Sequence, residues 1–436
     1  MAACLLRGPE PAIEPDPDPA TLLRAPAGHP ESSGSLAALA HTEGGVQMSI
    51  TAPRGFVAAG VACGIKASGN LDLSLVATDD GQPVSGAATF TSNLAAAAPV
   101  QVSRANLMAS GGLVSAVVLS SGNANAATGQ RGLADAQRMC QIVSEGIGTT
   151  TESVLVCQTG LIGIPLPFGC IESGLPQLVA ARAEGSTAGR LAAEAIMTTD
   201  TVRKEVRIDG NGFVVGGMAK GAAMLAPNMA TMLAVLTTDA ACEPTELGDL
   251  LRAGVAKSFN RLSVDGSTST NDTVILLASG RAGPIARADL ADAVEAGCVD
   301  LAAQMADDAE GATKVAHVVV VGALCDDDAH RAARKVADAN LVKCSLNGED
   351  PYWGRVVSEL GSAGVGFDMD RVSIAYGGTE VCRGGVAVSH NETAVRAHMA
   401  GKHLELRCDL GLGNGAGAVL TNDLSYGYID ENRTTS

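Results

Sequence analysis

A layered α/β body is the fold class this chain predicts, and three observations predict it. Past residue 48, short apolar runs rich in β-branched residues alternate with amphipathic windows of helical period. Glycine-containing turns follow several of those runs directly. Hydrophobic residues make up 46% of the chain but aromatic residues only 3%, so the layers must close over small aliphatic side chains.

In chain order, residues 114–121 and 153–158 read as buried strands because they are short and rich in β-branched residues. Each runs into a turn, Ser121-Gly122-Asn123-Ala124-Asn125 and Thr159-Gly160-Leu161-Ile162-Gly163. Glycine lets backbone amides at such turns point into a cleft, since no Cβ obstructs them. Residues 133–147 read as a helix, 273–279 and 315–321 as further strands. Residues 288–309 read as a longer helix, where Leu290, Val294, Cys298, Leu301 and Met305 form one apolar stripe. Gly280, Gly283 and Pro284 suggest a boundary between two lobes at 280–287. Asp326-Asp327-Asp328 reads as an N-terminal helix cap and dipole partner. No internal repeat of fixed period is present.

Composition narrows the function. At 436 residues the chain is long enough for one large α/β body or two to three domains. A net charge of −17 disfavours nucleic-acid phosphates and anionic membranes as partners, and no apolar run reaches the length of a membrane span. Eleven cysteines without a Cys-x-x-Cys pair read as reduced thiols of a cytoplasmic protein. Residues 1–47 hold six acidic residues against Arg7 and Arg24. They read as a disordered extension, too acidic for a transit peptide, with Met48 as an alternative start.

No histidine lies between residues 42 and 316, and no Gly-x-Ser-x-Gly elbow is present, which disfavours a histidine triad and a zinc site. Gly411-Leu412-Gly413-Asn414-Gly415-Ala416-Gly417 has the wrong spacing for a dinucleotide loop and reads as a hairpin or bulge. What remains is Thr231, after Ala230, between a glycine-punctuated loop and the strand-like run Met232-Leu233-Ala234-Val235-Leu236. It is either an ordinary strand threonine or a nucleophile. Cleavage of the Ala230–Thr231 bond, by attack of the threonine hydroxyl on the Ala230 carbonyl, frees an α-amine beside that hydroxyl as a built-in base. An α-amine pKa of roughly 7.7–8.0 suits that task.

Lys220-Gly221 through Pro227-Asn228-Met229-Ala230-Thr231-Met232-Leu233 closely resembles the self-cleavage segment of the ornithine acetyltransferases (glutamate N-acetyltransferases) of arginine biosynthesis. Ser121-Gly122-Asn123-Ala124-Asn125-Ala126, Ile196-Met197-Thr198-Thr199-Asp200 and Asp350-Pro351-Tyr352-Trp353-Gly354-Arg355 resemble family segments in the right order, as do residues 159–163, 265–272, 310–314 and 421–426. The likeness runs from about Thr51 to the C-terminus. It implies an ornithine-acetyltransferase-like fold of two lobes, cut into an α chain (48–230) and a β chain (231–436) that assemble as a heterotetramer. The implied reaction moves acetyl from N-acetylornithine to glutamate through acetyl-Thr231. Thr159 and Gly160 would form the oxyanion hole. Thr198, Lys220, Thr231, Glu310, Asn432 and Ser436 would contact substrate. No cofactor is implied, with acetyl-CoA an additional acetyl donor.

Lys220 suits a substrate carboxylate, and Glu310, at the end of the long helix, suits the ornithine ammonium. The same carboxylate repels the side chain of glutamate, a conflict the sequence leaves open. Asp265, Asn271 and Asp272 read as turn chemistry, and Trp353 as packing. Four departures from the family pattern stand out: Gln158 for a serine behind the oxyanion hole, Ala223 for a glycine, Tyr352 for an asparagine, and a terminus lacking a tyrosine, where Thr435 is an alternative to Ser436. A self-processed aminopeptidase or amidohydrolase, in which water takes the acyl group, is the competing reading. An amino-acid-binding scaffold without chemistry would leave the processing segment without purpose.

Overall fold

The computed structural model describes residues 49–224 and 232–433. The expected tail at 1–47, the cleavage pair Ala230 and Thr231, and Thr435 and Ser436 lie outside the described residues.

The described chain begins with β1 (Phe56–Val61), β2 (Leu73–Thr78), β3 (Val84–Phe90) and α1 (Ala98–Ala109). Next come β4 (Leu113–Val114), β5 (Ala116–Asn123), α2 (Gly129–Ile147), β6 (Val154–Leu161), α3 (Phe168–Ala180) and α4 (Ser186–Ile196). β7 (Lys204–Asp209), β8 (Val214–Lys220) and β9 (Leu233–Ala241) precede α5 (Pro244–Lys257), β10 (Leu262–Ser263), β11 (Thr273–Pro284) and α6 (Arg287–Asp307). After these stand β12 (Val315–Ala323), α7 (Asp326–Ala337), α8 (Asn340–Asn347) and α9 (Trp353–Gly361). β13 (Ser373–Tyr376), β14 (Thr379–Arg383), β15 (Val386–Ala387), α10 (Glu392–Ala400), β16 (His403–Asp409), β17 (Gly415–Asn422) and α11 (Tyr426–Asn432) complete it.

Strand alternation assembles these elements into layers. A four-stranded sheet, β1-β2-β5-β6, faces a six-stranded one, β4-β3-β11-β9-β8-β7. Phe56, Val76, Leu119 and Leu155 of the first meet Met218, Leu233, Val235 and Ile275 of the second in one buried interlayer. The residues between them point the other way. Val118, Val154 and Val156 pack under α2 and α3, while Ala234, Leu236 and Leu276 pack under α5 and α6. Helix α4 borders the interlayer through Ala188, Ala192, Ala193 and Ile196. Its backbone comes so close to β1 that a Cβ on Gly60 would lie 2.0 Å from the Leu191 carbonyl oxygen. Small residues thus set the layer spacing, as the scarcity of aromatics demands.

A seven-stranded sheet, β10-β17-β12-β16-β13-β14-β15, carries the third large core with α7 and α9. The lobe boundary expected at 280–287 is not where the core changes. Ala278 before it and Leu290 and Val294 after it share one core, because α6 folds back onto the sheet that β11 has just left. The change comes after α6, at β12, whose Ala316, Val318 and Val320 join the third core. Gly411 to Gly417 is not a hairpin, since β16 and β17 lie on opposite sides of β12, and the register of β12 against β17 shifts between Val320 and Ala323, opposite Gly415 and Gly417, as at a bulge. Its glycines allow close packing: a Cβ on Gly417 would lie 2.5 Å from the His330 amide nitrogen on α7. Asp326, Asp327 and Asp328 occupy the first turn of α7, opposite Arg334 and Lys335 in its last, while the cap position itself falls to Cys325. Trp353 starts α9 and packs against the third core. Among the described residues no helix is long and apolar enough to cross a membrane.

Gly417→Ala is therefore expected to destabilise the fold by about 1–3 kcal/mol through overpacking. A lowered thermal midpoint checks it; an unchanged midpoint would mean the Gly-rich loop has room to spare.

Candidate active site

Alternation along β6 and β8 determines what meets between the two sheets. On β6, Leu155 and Cys157 face the interlayer, so Thr159 does too, whereas Gln158 turns toward α2. On β8, Met218 faces the interlayer and Lys220 follows it. Both Thr159 and Lys220 are buried, and the Lys220 Nζ donates to Thr159 Oγ1 at 3.3 Å. Because the ammonium occupies a lone pair of that oxygen, the hydroxyl proton is free to be donated elsewhere. Gly160 follows at φ +131, packed so closely on β5 that a Cβ there would lie 2.3 Å from the Gly122 carbonyl carbon.

The substitution at Gln158 acts away from this face. Its side-chain carbonyl accepts from Asn125 Nδ2 at 2.8 Å and its amide donates to Ser120 Oγ at 3.1 Å. Only its backbone carbonyl is tied to the site, accepting from Asn271 Nδ2 at 2.8 Å, and that same amide group reaches the Ala124 carbonyl. Asn271 thus fastens the start of β11 to β6 and to the turn after β5. That is a buried inter-sheet clamp rather than the turn chemistry expected of it.

Asp272 departs further from that expectation. Fully buried, it accepts the Met232 amide on Oδ1 at 3.1 Å, while Oδ2 has no partner among the described residues. Burial raises its carboxyl well above the usual range, against the pull of the Met232 amide, Ser269 and Lys220. Asp265 does serve a turn, accepting the Ser267 amide at 3.1 Å, and also receives the Met224 amide at 2.6 Å and the Tyr428 hydroxyl at 3.2 Å.

Four acidic and basic side chains that the sequence reading gave no role surround Lys220. Asp200 accepts Lys204 Nζ at 2.7 Å, the Gly221 amide at 2.8 Å and the Thr198 amide at 3.0 Å. Lys204, without exposed surface, also donates to Asp308 Oδ2 at 2.6 Å. Burial opposes the charge on Asp200, but Lys220, Lys204 and the Thr198 amide overcome it and hold its carboxyl far below the usual range. For Lys220, burial pushes the ammonium pKa down while Asp200 pulls it up. Lys66, half-buried in the loop after β1, is the fourth; burial lowers its ammonium pKa, Asp72 and Asp200 raise it and Lys220 lowers it.

Glu310 stands three residues beyond the end of α6, not at it. Its amide donates to the Ala222 carbonyl at 2.9 Å and its carboxylate accepts from Asn432 Nδ2 at 2.8 Å. Gly311, at φ +60, allows the Gly427 backbone to close against this turn. Thr159, Gly160, Thr198, Lys220, Glu310 and Asn432, distant in sequence, therefore form one neighbourhood linked through shared partners. Across its sheet Lys220 is paired with Leu233, two residues past Thr231.

Comparison with known proteins decides the family. The ArgJ family model matches residues 57–434. The chain belongs to the ArgJ family. "Arginine biosynthesis bifunctional protein ArgJ" of Mycolicibacterium paratuberculosis is 47% identical over 397 residues, 89% of this chain and 97% of that protein. The protein of the same description from Mycobacterium tuberculosis (strain ATCC 25618 / H37Rv) is 47% identical over 394 residues, 89% and 96% of the two chains. A solved structure of ornithine acetyltransferase complexed with ornithine, from Mycobacterium tuberculosis, is 41% identical, covering 42% of this chain and 95% of that one, at a TM-score of 0.38. This ArgJ-family chain is an acetyltransferase of arginine biosynthesis, on the mixed α/β architecture expected.

The two buried carboxyls give opposite pH dependences. Asp200's folded value lies below its unfolded value of about 3.9, so its stabilisation is present above that pH and lost as pH falls. Asp272 keeps its proton longer in the folded chain, so its contribution is full below about 3.9 and lost as pH rises through the raised folded value. Asp200→Asn should thus cost ~3–5 kcal/mol near neutral pH, shrinking below about pH 4. Asp272→Asn should gain stability relative to wild type as pH rises above about 4 and through the raised folded value. Denaturant titrations from about pH 2 to about pH 8, spanning both sides of the unfolded carboxyl value, check both signs.

Proposed function

We propose that the chain cuts itself between Ala230 and Thr231 and then transfers acetyl from N-acetylornithine to glutamate through an acetyl-Thr231 ester. The observation that carries this is the buried Lys220–Thr159 contact, beside the strand that Thr231 leads into, in a chain of the ArgJ family.

Self-cleavage begins with attack of Thr231 Oγ on the Ala230 carbonyl. The C–N bond breaks, its nitrogen takes the hydroxyl proton and becomes the α-amine of the new chain, and water hydrolyses the ester. In transfer, Oγ attacks the acetyl carbonyl of N-acetylornithine while the α-amine accepts its proton and returns it to the departing ornithine amine. The glutamate amine then attacks the acetyl ester and the threonine hydroxyl is restored. Thr159, whose hydroxyl proton is free because Lys220 donates to its oxygen, and the Gly160 amide stabilise the oxyanions. Lys220 and Thr198 receive the substrate carboxylate. Glu310, oriented by Asn432 and with the terminal Ser436 nearby in the chain, receives the ornithine ammonium.

The reaction runs on the chain's own groups, without a cofactor. Acetyl-CoA as a second donor is supported by the relatives' description as bifunctional. The two fragments remain one body because β9, after the cut, lies between β8 and β11 in the same sheet, and two copies of each form the heterotetramer. The compartment is the cytoplasm.

Purified protein should run as two fragments in denaturing electrophoresis but as one species in native chromatography, and Thr231→Ala should run uncut and inactive. Uncut wild type with full acetyl transfer would contradict the proposal. Thr159→Val, which keeps the shape but removes the hydroxyl, should lower kcat by ~10²–10³-fold. Steady-state kinetics on the cleaved variant checks it.

A further inference from the structure

The charge balance around the site is incomplete for the acceptor. N-acetylornithine brings one carboxylate and one ammonium, whereas glutamate brings two carboxylates, and one cation cannot serve both of these. Of the three lysines at the site, Lys204 is neutralised by Asp200 and Asp308. Lys220 and Lys66 form no ion pair among the described residues. Lys220's hydrogen bond goes to Thr159, and Lys66 Nζ donates to the Leu71 carbonyl at 2.6 Å.

The nearest carboxylate to Lys66 in sequence, Asp72, is already committed. Fully buried, it accepts the Cys63 amide on Oδ1 at 2.7 Å and the Gly64, Ile65 and Lys66 amides on Oδ2 at 3.0, 2.7 and 3.2 Å. Four amide donors shape residues 63–66 into a fixed bend, and the Lys66 ammonium, although it forms no ion pair with this carboxylate, is favoured by the fields of Asp72 and Asp200 against its burial. The bend sits against β5 at Gly122: a Cβ there would lie 3.3 Å from Lys66 Cγ. Gly122 is the residue paired with Gly160. A half-buried cation is therefore held beside the strand that pairs with Gly160, on a loop that Asp72 fixes and within the fields of Asp200 and Lys220.

We propose that Lys66 is a specificity-determining residue, receiving the side-chain carboxylate of the amino acid that accepts the acyl group. The proposal rests on the acyl-transfer reading above and deepens it. Glu310 then serves the ammonium of the donor and Lys66 the carboxylate of the acceptor, so one nucleophile takes substrates of opposite side-chain charge.

The test separates the two half-reactions on the self-cleaved enzyme. Ornithine release in the first turnover from N-acetylornithine, without acceptor, should fall several-fold less in Lys66→Met than acetyl transfer does. Acetyl transfer to glutamate should lose roughly 10–100-fold in kcat/KM, mostly in KM, and Lys66→Arg should recover much of it. Wild type should prefer glutamate over glutamine by a similar factor, and Lys66→Met should abolish that preference. Equal loss in both half-reactions, an unchanged glutamate kcat/KM, or wild type that accepts glutamine as readily as glutamate would each overturn the proposal. The wild-type comparison needs no variant to fold. Absence of first-turnover ornithine release from wild type would overturn the transfer reading itself.

Discussion

An ammonium group buried between two sheets is the constraint on which the rest of this structure depends. Lys220 could not remain charged there by itself, since moving an unpaired cation out of water costs several kcal/mol. It is stabilised by Thr159 across the interlayer and by the field of Asp200. Asp200 is in turn kept ionised by Lys204, which Asp308 helps to neutralise. Each group has its partner on a different element, so the charged cluster also aligns β6, β7, β8 and the segments after α4 and α6. A site built in this way has its donors aimed before any substrate arrives, which is the condition for strong electrostatic stabilisation of developing charge.

The small-residue core makes the arrangement possible. Glycine at 60, 122 and 160 lets neighbouring backbones approach where any Cβ would collide. The same economy of side chains leaves the interlayer narrow enough for a lysine on one sheet to reach a threonine on the other. Asn271 then ties β6 and the turn after β5 to β11. The start of β9 is consequently fastened on both sides, by Lys220 through pairing with Leu233 and by Asp272 through the Met232 amide.

How much of this was legible in the sequence depends on the range of the interaction. The apolar runs revealed their strands because period-two burial is a local signal, and Thr159, Gly160 and Lys220 stood out beside glycines in recognisable segments. Lys204 and Asp308, 104 residues apart, carry no local mark that they meet, and Asp72 looks like any acidic residue before a strand. Asp272 was read as a turn residue because turn loops and buried carboxyls share a composition; only the packing of β11 beside β9 distinguishes them. The same holds at 280–287, where Gly280, Gly283 and Pro284 end a strand without ending its core. For Gln158, strand parity, which can be counted from the sequence, is enough to turn the side chain away from the face that carries Thr159.

The central claim is that Thr231 becomes an N-terminal nucleophile that carries the acetyl group in this Lys220–Thr159 site. Intact-mass spectrometry of the separated fragments after exposure to N-acetylornithine tests it most directly. The account predicts a fragment beginning at Thr231 that gains one acetyl group, located on Thr231 by peptide sequencing, and loses it when glutamate is added. A fragment that stays unmodified while ornithine accumulates, or an acetyl group on another residue, would contradict it.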